Sequence, residues 1–466
     1  MDQKTRISKI QEIIDRDEKN PFGVQEIAWE DSLKSMNVYK IPLAYLVYNK
    51  YNGRILSRTK SLEKQNHSID VETPEGKKQI ERLLWDSKED RNKTTQADLA
   101  ISGQKKVGII TRDGIIIDGN RRAMLLNRLG KDDYFKAVVL PVTLEENPIE
   151  IKKLETSFQM GEDEKLGYNP IEKYLKAKDL YTDLSASFEE EITIAKIADW
   201  MGEQKSAIKD YLAVMDIMDE YLSELGYDGI YTQLDGREDQ FISLTKWMEN
   251  FYGETSSKAF DGYKDNDVDD LKIISFDYIR DKYEGKEFRN LAYGLKTNHF
   301  FGTKEIWTSF RDSHFEATKG IEEPAIDFNS MNLKSHLDDR DQKFHDKIHD
   351  RIKDNLEVHY EKLRNLQSGK EPEKLIKRSI DSFDAIQKNN KAFKNPAIQQ
   401  LVVELADKAF RSVTEHAPLE IFPKIISLLE SIEVEKIGEG DVEKAEQFAT
   451  DIQRLSYKLT KKLSQL

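Results

Sequence analysis

A chain of 466 residues with 38% hydrophobic and 34% charged side chains has room for roughly two to four domains with real cores, and reads as helix-rich and soluble. The absence of cysteine excludes disulfides, thiolate metal sites and cysteine nucleophiles, and a net charge of -14 argues against non-specific coating of nucleic acid while leaving room for a local basic surface. No apolar run approaches the length of a membrane span and no apolar signal core opens the chain, so the expectation is a cytoplasmic protein without a membrane partner.

Residues 1–36 carry Ile7, Ile10, Ile13 and Ile14 at helical spacing and read as a helical arm. Tyr39 to Val47 reads as a strand, and Tyr48 to Arg54 as a turn-rich loop ending on a basic residue. In the polar stretch that follows, Ile80, Leu83 and Leu84 mark one amphipathic helix and Thr95 to Ile101 a short segment. Ser57 to Lys78 reads as a mobile loop or insertion in which His67 is an exposed loop histidine.

The stretch Val107 to Leu129 organises the N-terminal half. Val107, Ile109 and Ile110 form one β-type run, Asp113-Gly114 is a hairpin-turn dipeptide, and Ile115, Ile116 and Ile117 form the next run, which stops at Asp118-Gly119. From Asn120 the period becomes helical, with Ala123, Leu125, Leu126 and Leu129 on one side and Gly130 as a C-cap. Backbone N–H groups and the dipole at this helix start favour an anion, Gly119 allows close approach, and Arg121 and Arg122 add guanidinium forks. The expected ligand is a phosphate; the competing reading is that Gly119 only makes the turn and the arginines pair with acids.

Phe135 to Val142 is a third strand run, and a helix beginning at Pro148 passes through Glu155 to Gln159. The result is an α+β protein: a small α/β domain over 37–160 with its cleft at the start of the central helix, then a helical unit over 161–225. Asn169-Pro170 opens the first helix of that unit, whose apolar face is interrupted by Lys178. Thr193 as N-cap, Gly202 in the turn, and Ala207, Ile208, Tyr211, Leu212 and Met215 on the second helix make a helix-turn-helix layout. Gln204, Lys205, Ser206 and Lys209 are then placed to reach the phosphates or base edges of duplex DNA, unless the unit is an ordinary helical hairpin.

Residues 226–337 are aromatic, acidic and mainly helical, without a recognisable fold, and 338–466 read as long amphipathic helices suited to homodimerisation. His345 and His349 have the i, i+4 spacing of a metal-binding pair, but lack the glutamate of a zinc helix and sit among Lys, Arg and Asp, so a solvated helix face is expected. Asp265, Asp267 and Asp269 open like an EF-hand loop, but Asp270 stands where its glycine belongs, and a solvated loop is expected. No Walker A loop, Gly-x-Ser-x-Gly elbow or serine–histidine–acid trio exists, so no catalytic residue is assigned. Glu155 can ligate a Mg²⁺ bridging nucleotide oxygens, and Asp118 can do the same or cap the helix.

In order, Ile41-Pro42-Leu43 with Asn49 to Arg54, then Gly119-Asn120-Arg121-Arg122, then Glu155 to Gln159, then Asn169-Pro170-Ile171-Glu172, resemble the landmarks of the ParB/sulfiredoxin-like N-terminal domain followed by the ParB helix-turn-helix domain. The resemblance implies a nucleoside triphosphate, CTP or ATP, with Gly119, Arg121 and Arg122 on its phosphates, Arg54 in the same cleft and Glu155 near Mg²⁺. Asn120 stands where the family has glutamate, Met124 where it has a later arginine, and Thr156 and Gln159 where it has asparagine and arginine. The Asp118-Gly119-x-x-Arg122 spacing also resembles the Asp-Gly-Gln-x-Arg motif of ParB-like domains in restriction and phage-defence proteins. The expected function is a ParB-like, nucleotide-dependent DNA-binding protein of a partition-like, regulatory or anti-phage system, working with a protein partner. The alternatives are a ParB-like NTPase or phosphotransferase without DNA readout, and an interaction scaffold with a decayed nucleotide site.

Overall fold

The computed structural model describes residues 1–65, 68–161, 169–253, 256–283, 286–321, 323, 325–328, 333–367, 371–386, 391, 395–416 and 418–465. The protein is of the mixed α+β class, with one six-stranded sheet near the N-terminus and a mostly helical remainder. It divides into two compact units, Met1–Gly369 and Lys370–Leu466.

In the first unit, α1 (Gln3–Asp17) is capped by Asp2, whose carboxylate accepts from the Thr5 N–H, and it buries Ile10 and Ile13. The expected helical arm ends there. Residues beyond it form β1 (Gly23–Trp29) and the start of β2 (Ser32–Pro42), an antiparallel hairpin whose turn residues Glu30 and Asp31 both have positive φ. The strand expected over Tyr39 to Val47 breaks at Pro42 into a 3-10 turn and resumes as β3 (Val47–Tyr48).

The stretch read as a loop is instead helical over much of its length. It contains α2 (Leu56–Lys64) and the start of α3 (Pro74–Asp86), because Thr73 caps α3 with Pro74 in its first turn; His67 lies outside the described residues. After α4 (Glu89–Ser102) come β4 (Gly108–Ile110), β5 (Ile115–Asp118), α5 (Asn120–Leu129), closed by Gly130 in the left-handed region, and β6 (Tyr134–Val139). The sheet order is β1-β2-β6-β4-β5-β3, with β4–β6 and β5–β3 parallel and the other neighbours antiparallel.

Strand alternation assigns the two faces. Ile110, Ile116, Ala137 and Ile41 point into one core with α1, α3 and α5, whereas Ile109, Ile117, Val138 and Val38 point into the other with Ile151 and Leu154 of α6 (Pro148–Gly161).

Asn169 caps α7 (Pro170–Ser185), which packs with α8 (Glu190–Met201) and α9 (Lys205–Glu224) around Leu180, Ile194, Ile197, Trp200 and Ile208. Thr193 does not cap α8: it is buried inside the helix, and Glu189 is the N-cap. Gly202, with φ 67°, turns the chain between α8 and α9.

Three further helices, α10 (Glu238–Phe251), α11 (Asp265–Arg280) and α12 (Lys304–Thr318), share the largest core with α9 and with α13 (Leu333–Gln367), whose buried face runs through Leu337, Phe344, Ile348, Ile352, Leu356 and Leu363. The acidic run expected as a loop opens α11, and the Asp267 carboxylate accepts from the Lys264 N–H. Lys370–Leu466 carries α14 (Glu371–Asp384), α15 (Pro396–His416), α16 (Ile421–Glu430) and α17 (Val442–Leu463). No residue of α16 or α17 is buried. Among the described residues, no helix is long and apolar enough to cross a membrane.

Candidate anion site at the start of the central helix

Two asparagine turns shape the loop that follows β3. The Asn49 side chain accepts from the Tyr51 N–H at 3.0 Å, and the Asn52 side chain from the Arg54 N–H at 3.2 Å, which fixes where Arg54 leaves the backbone. Asn120, the first residue of α5, ties this loop down. Its Oδ1 accepts from the Asn49 N–H at 2.9 Å, and its Nδ2 donates to the Ile116 carbonyl at 3.0 Å. Asn120 is buried and both ends of its amide are engaged, so it is a positioning residue more than a ligand group.

Gly119 is the N-cap of α5 at φ 103°, and a Cβ there would lie 2.7 Å from the Phe135 ring. Both the left-handed backbone and the close ring demand glycine. Neither a side-chain cap nor an acidic residue in the first turn of α5 competes for its N–H groups, so the helix start keeps its attraction for an anion.

The adjoining cleft has a volume of about 230 Å³. Arg54, Arg91, Lys106, Arg121 and Arg122 all line it, with Thr95, Asn52 and Gln159 between them. The crowding of cations is visible in Lys88: burial pushes its ammonium below the ordinary lysine value, and the charges of Arg91, Arg121 and Arg54 push it the same way. Such a cluster is a local positive field on a protein of net charge -14. At this volume the cleft admits phosphate groups but does not enclose a whole nucleotide, since pockets that bury drug-sized ligands run to about 300–1,000 Å³.

The structure gathers Arg54, Asp118, Gly119, Asn120, Arg121 and Arg122 around this one cleft, but it divides their work differently from the sequence expectation. Asp118 does not cap α5, and its Oδ2 is paired with the Arg122 Nη2 at 2.5 Å. Arg122 also donates to the carbonyls of Lys106 and, at 3.1 Å, Val107. Its fork is largely spent on holding the entry to β4 against α5. Arg54, Arg91, Lys106 and Arg121 line the same cleft beside it. Arg91, Lys88 and Lys106 carried no signal in the sequence, being ordinary cations of a polar stretch whose approach to Gly119 depends on how α4 folds over α5.

Glu155 is corrected more sharply. Its carboxylate is buried and fully engaged, by the Lys176 ammonium at 3.1 Å, the Asn49 amide at 2.9 Å and the Gln159 amide at 3.0 Å. With Lys176 already neutralising it, Glu155 does not fit the part of a Mg²⁺ ligand. The buried lysine of α7 is thus Lys176, whereas Lys178 reaches outward to Asp216 and Asp219.

The adjacent carboxylate of Glu172 is also buried, accepting from the Ser57 N–H at 2.9 Å and the Ser57 hydroxyl at 2.6 Å. Burial outweighs these bonds and pushes its acid up to about 7. Gln204, Lys205, Ser206 and Lys209 are not among the residues lining the cleft; they lie exposed at the start of α9, with Lys209 paired to Glu191 at 2.7 Å. No protein-family model matches the chain, and no curated protein matches it.

Proposed function

We propose that the sheet domain binds the polyphosphate of a nucleoside triphosphate, CTP or ATP, in the manner of ParB/sulfiredoxin-like domains, and that nucleotide binding governs what the helical regions engage. The observation that carries this reading is the convergence of Arg54, Arg91, Lys106 and Arg121 on a small cleft at the uncapped start of α5. The cleft grips phosphate, and the base lies beyond it. Because Glu155 is held by Lys176, a Mg²⁺ accompanying the nucleotide would find no free ligand in that carboxylate.

Thermal unfolding with and without CTP, ATP, GTP or UTP tests this. A ligand at a hundredfold excess over its Kd adds about 2.7 kcal/mol to the folded state. One nucleotide is expected to raise Tm in the native chain and not in Arg121→Ala; no shift with any nucleotide contradicts the reading. Phosphate release that persists without DNA would favour the NTPase alternative.

DNA engagement through α9 is supported by the exposed cluster Gln204, Lys205 and Ser206 following the Gly202 turn. If α9 meets a duplex, Lys205→Glu weakens binding across all sequences and flattens its salt dependence by about one phosphate contact in a fluorescence-anisotropy titration. Unchanged binding and slope in the variant would remove α9 from the interface. Self-association is supported by the exposed apolar side chains of α16 and α17, among them Ile425, Ile426, Phe448 and Leu455.

A further inference from the structure

His345 and His349 on α13 are not two solvated side chains. The i, i+4 spacing stacks their rings 4.4 Å apart, and both Nδ1 atoms face one carboxylate, that of Asp281 at the end of α11. His345 Nδ1 lies 2.8 Å from Asp281 Oδ1 and His349 Nδ1 2.8 Å from Oδ2. The three donors come from two helices far apart in sequence, which is why the sequence shows only the histidine pair.

Asp281 is 1% exposed. His349 makes an aligned hydrogen bond to Oδ2 at 2.8 Å, whereas His345, although its Nδ1 is 2.8 Å from Oδ1, aligns better with the Asp281 main-chain carbonyl at 3.1 Å. No lysine or arginine pairs with this carboxylate among the described residues, and the neighbouring Arg280 is directed to Glu323 and Asp341. The backbone is also held there against its preference, since Lys282 adopts φ 56° and turns the chain sharply after Asp281. The carbonyl end of α11, where the helix dipole is negative, adds a preference for a cation.

We propose that Asp281, His345 and His349 form a binding site for a late first-row divalent transition metal, of which Zn²⁺ is the representative. Two imidazole nitrogens and one carboxylate oxygen are a borderline donor set that suits such an ion and not Mg²⁺ or Ca²⁺, which favour all-oxygen surroundings. Their ligand atoms lie within 4.8 Å of one another, so three of four tetrahedral positions are supplied and one is left for water or an anion, as in sites of the open type. The ion places a full positive charge beside a buried carboxylate that no lysine or arginine pairs with among the described residues, and ties α11 to α13. This site is independent of the anion cleft in the sheet domain.

The test is titration of the metal-free full-length chain with Co²⁺, followed by visible absorption, then competition with Zn²⁺. One equivalent is expected to produce the d–d bands of a low-coordinate site, displaced by Zn²⁺. His349→Gln and the near-isosteric Asp281→Asn should each weaken binding by at least the roughly 10–100-fold that loss of a supporting group costs, with unchanged far-UV circular dichroism. Absent bands in the native chain, or bands that survive both variants, would overturn the proposal and leave the three residues as a hydrogen-bonded clamp. Should either variant misfold, His345→Gln on the same helix face provides the same comparison.

Discussion

Glu172 holds its place by what it accepts: the N–H and hydroxyl of Ser57 at the start of α2 fix the first turn of α7 against the sheet domain. With its acid pushed up to about 7 from 4.5, the folded chain retains a proton that the unfolded chain has lost. Stability contributed by this group is therefore present below the unfolded value and falls as pH rises through about 7, by roughly 3 kcal/mol in total. Urea unfolding at a series of pH values should show this decline in the native chain and a flatter profile in Glu172→Gln; parallel profiles would contradict it. Single residues were unevenly legible in the sequence. Gly119 was readable as a turn because the β-branched run stops at Asp118-Gly119 and a helical period begins at Asn120; its φ of 103° is a conformation that glycine adopts without strain. Lys176 was not, because a lysine on an amphipathic helix is ordinarily solvated, and only the fold brings Glu155 beneath it.

Elements with a strong period were legible and those built against their local signals were not. The β4, β5 and α5 succession follows from β-branched runs cut at Asp113-Gly114 and Asp118-Gly119. The β1–β2 hairpin was hidden because its turn is Glu30-Asp31, both at positive φ without the usual asparagine or glycine, and its edge strand exposes Val24. Helix α4 was only half seen because its buried side chains, Asn92 and Leu99, mark no continuous apolar stripe. Helix α1 docks with one buried cation beside its apolar residues Ile10 and Ile13. Arg6 donates to the Asp113 carbonyl in the β4–β5 turn and forks both oxygens of Glu72 at 2.7 Å. Since Glu72 is 44% exposed at its side chain, water can recover part of the loss on truncation, and Arg6→Ala is expected to cost about 1–3 kcal/mol, chiefly through the stranded carbonyl. Hydrogen exchange should report this as earlier opening of the β4–β5 turn; unchanged protection would mean that Ile10, Ile13 and Gln3, whose amide donates to the Asp113 carboxylate at 2.9 Å, suffice to dock the helix.

At the scale of the whole molecule, the net charge of -14 and the basic cleft are opposed, and the opposition is informative. On an acidic body a cluster of cations on one face of the sheet domain is a local positive field, and under the proposed function it is this field that would attract the phosphate chain of a nucleotide. The measurement that tests this most directly is calorimetric titration of the four nucleoside triphosphates into the native chain, Arg121→Ala, Arg91→Ala and Arg82→Ala. Arg91 comes from outside the sequence motif and meets Arg121 only in the folded cleft, whereas Arg82 is exposed and paired with Asp86. Loss of one charge-assisted phosphate contact is worth about 1.5–3 kcal/mol, so Arg121→Ala and Arg91→Ala should each weaken binding of the preferred nucleotide by at least roughly tenfold, while Arg82→Ala binds as the native chain does. Binding by Arg91→Ala and Arg121→Ala that equals the native chain, or no binding by the native chain itself, would contradict the anion site at the start of α5.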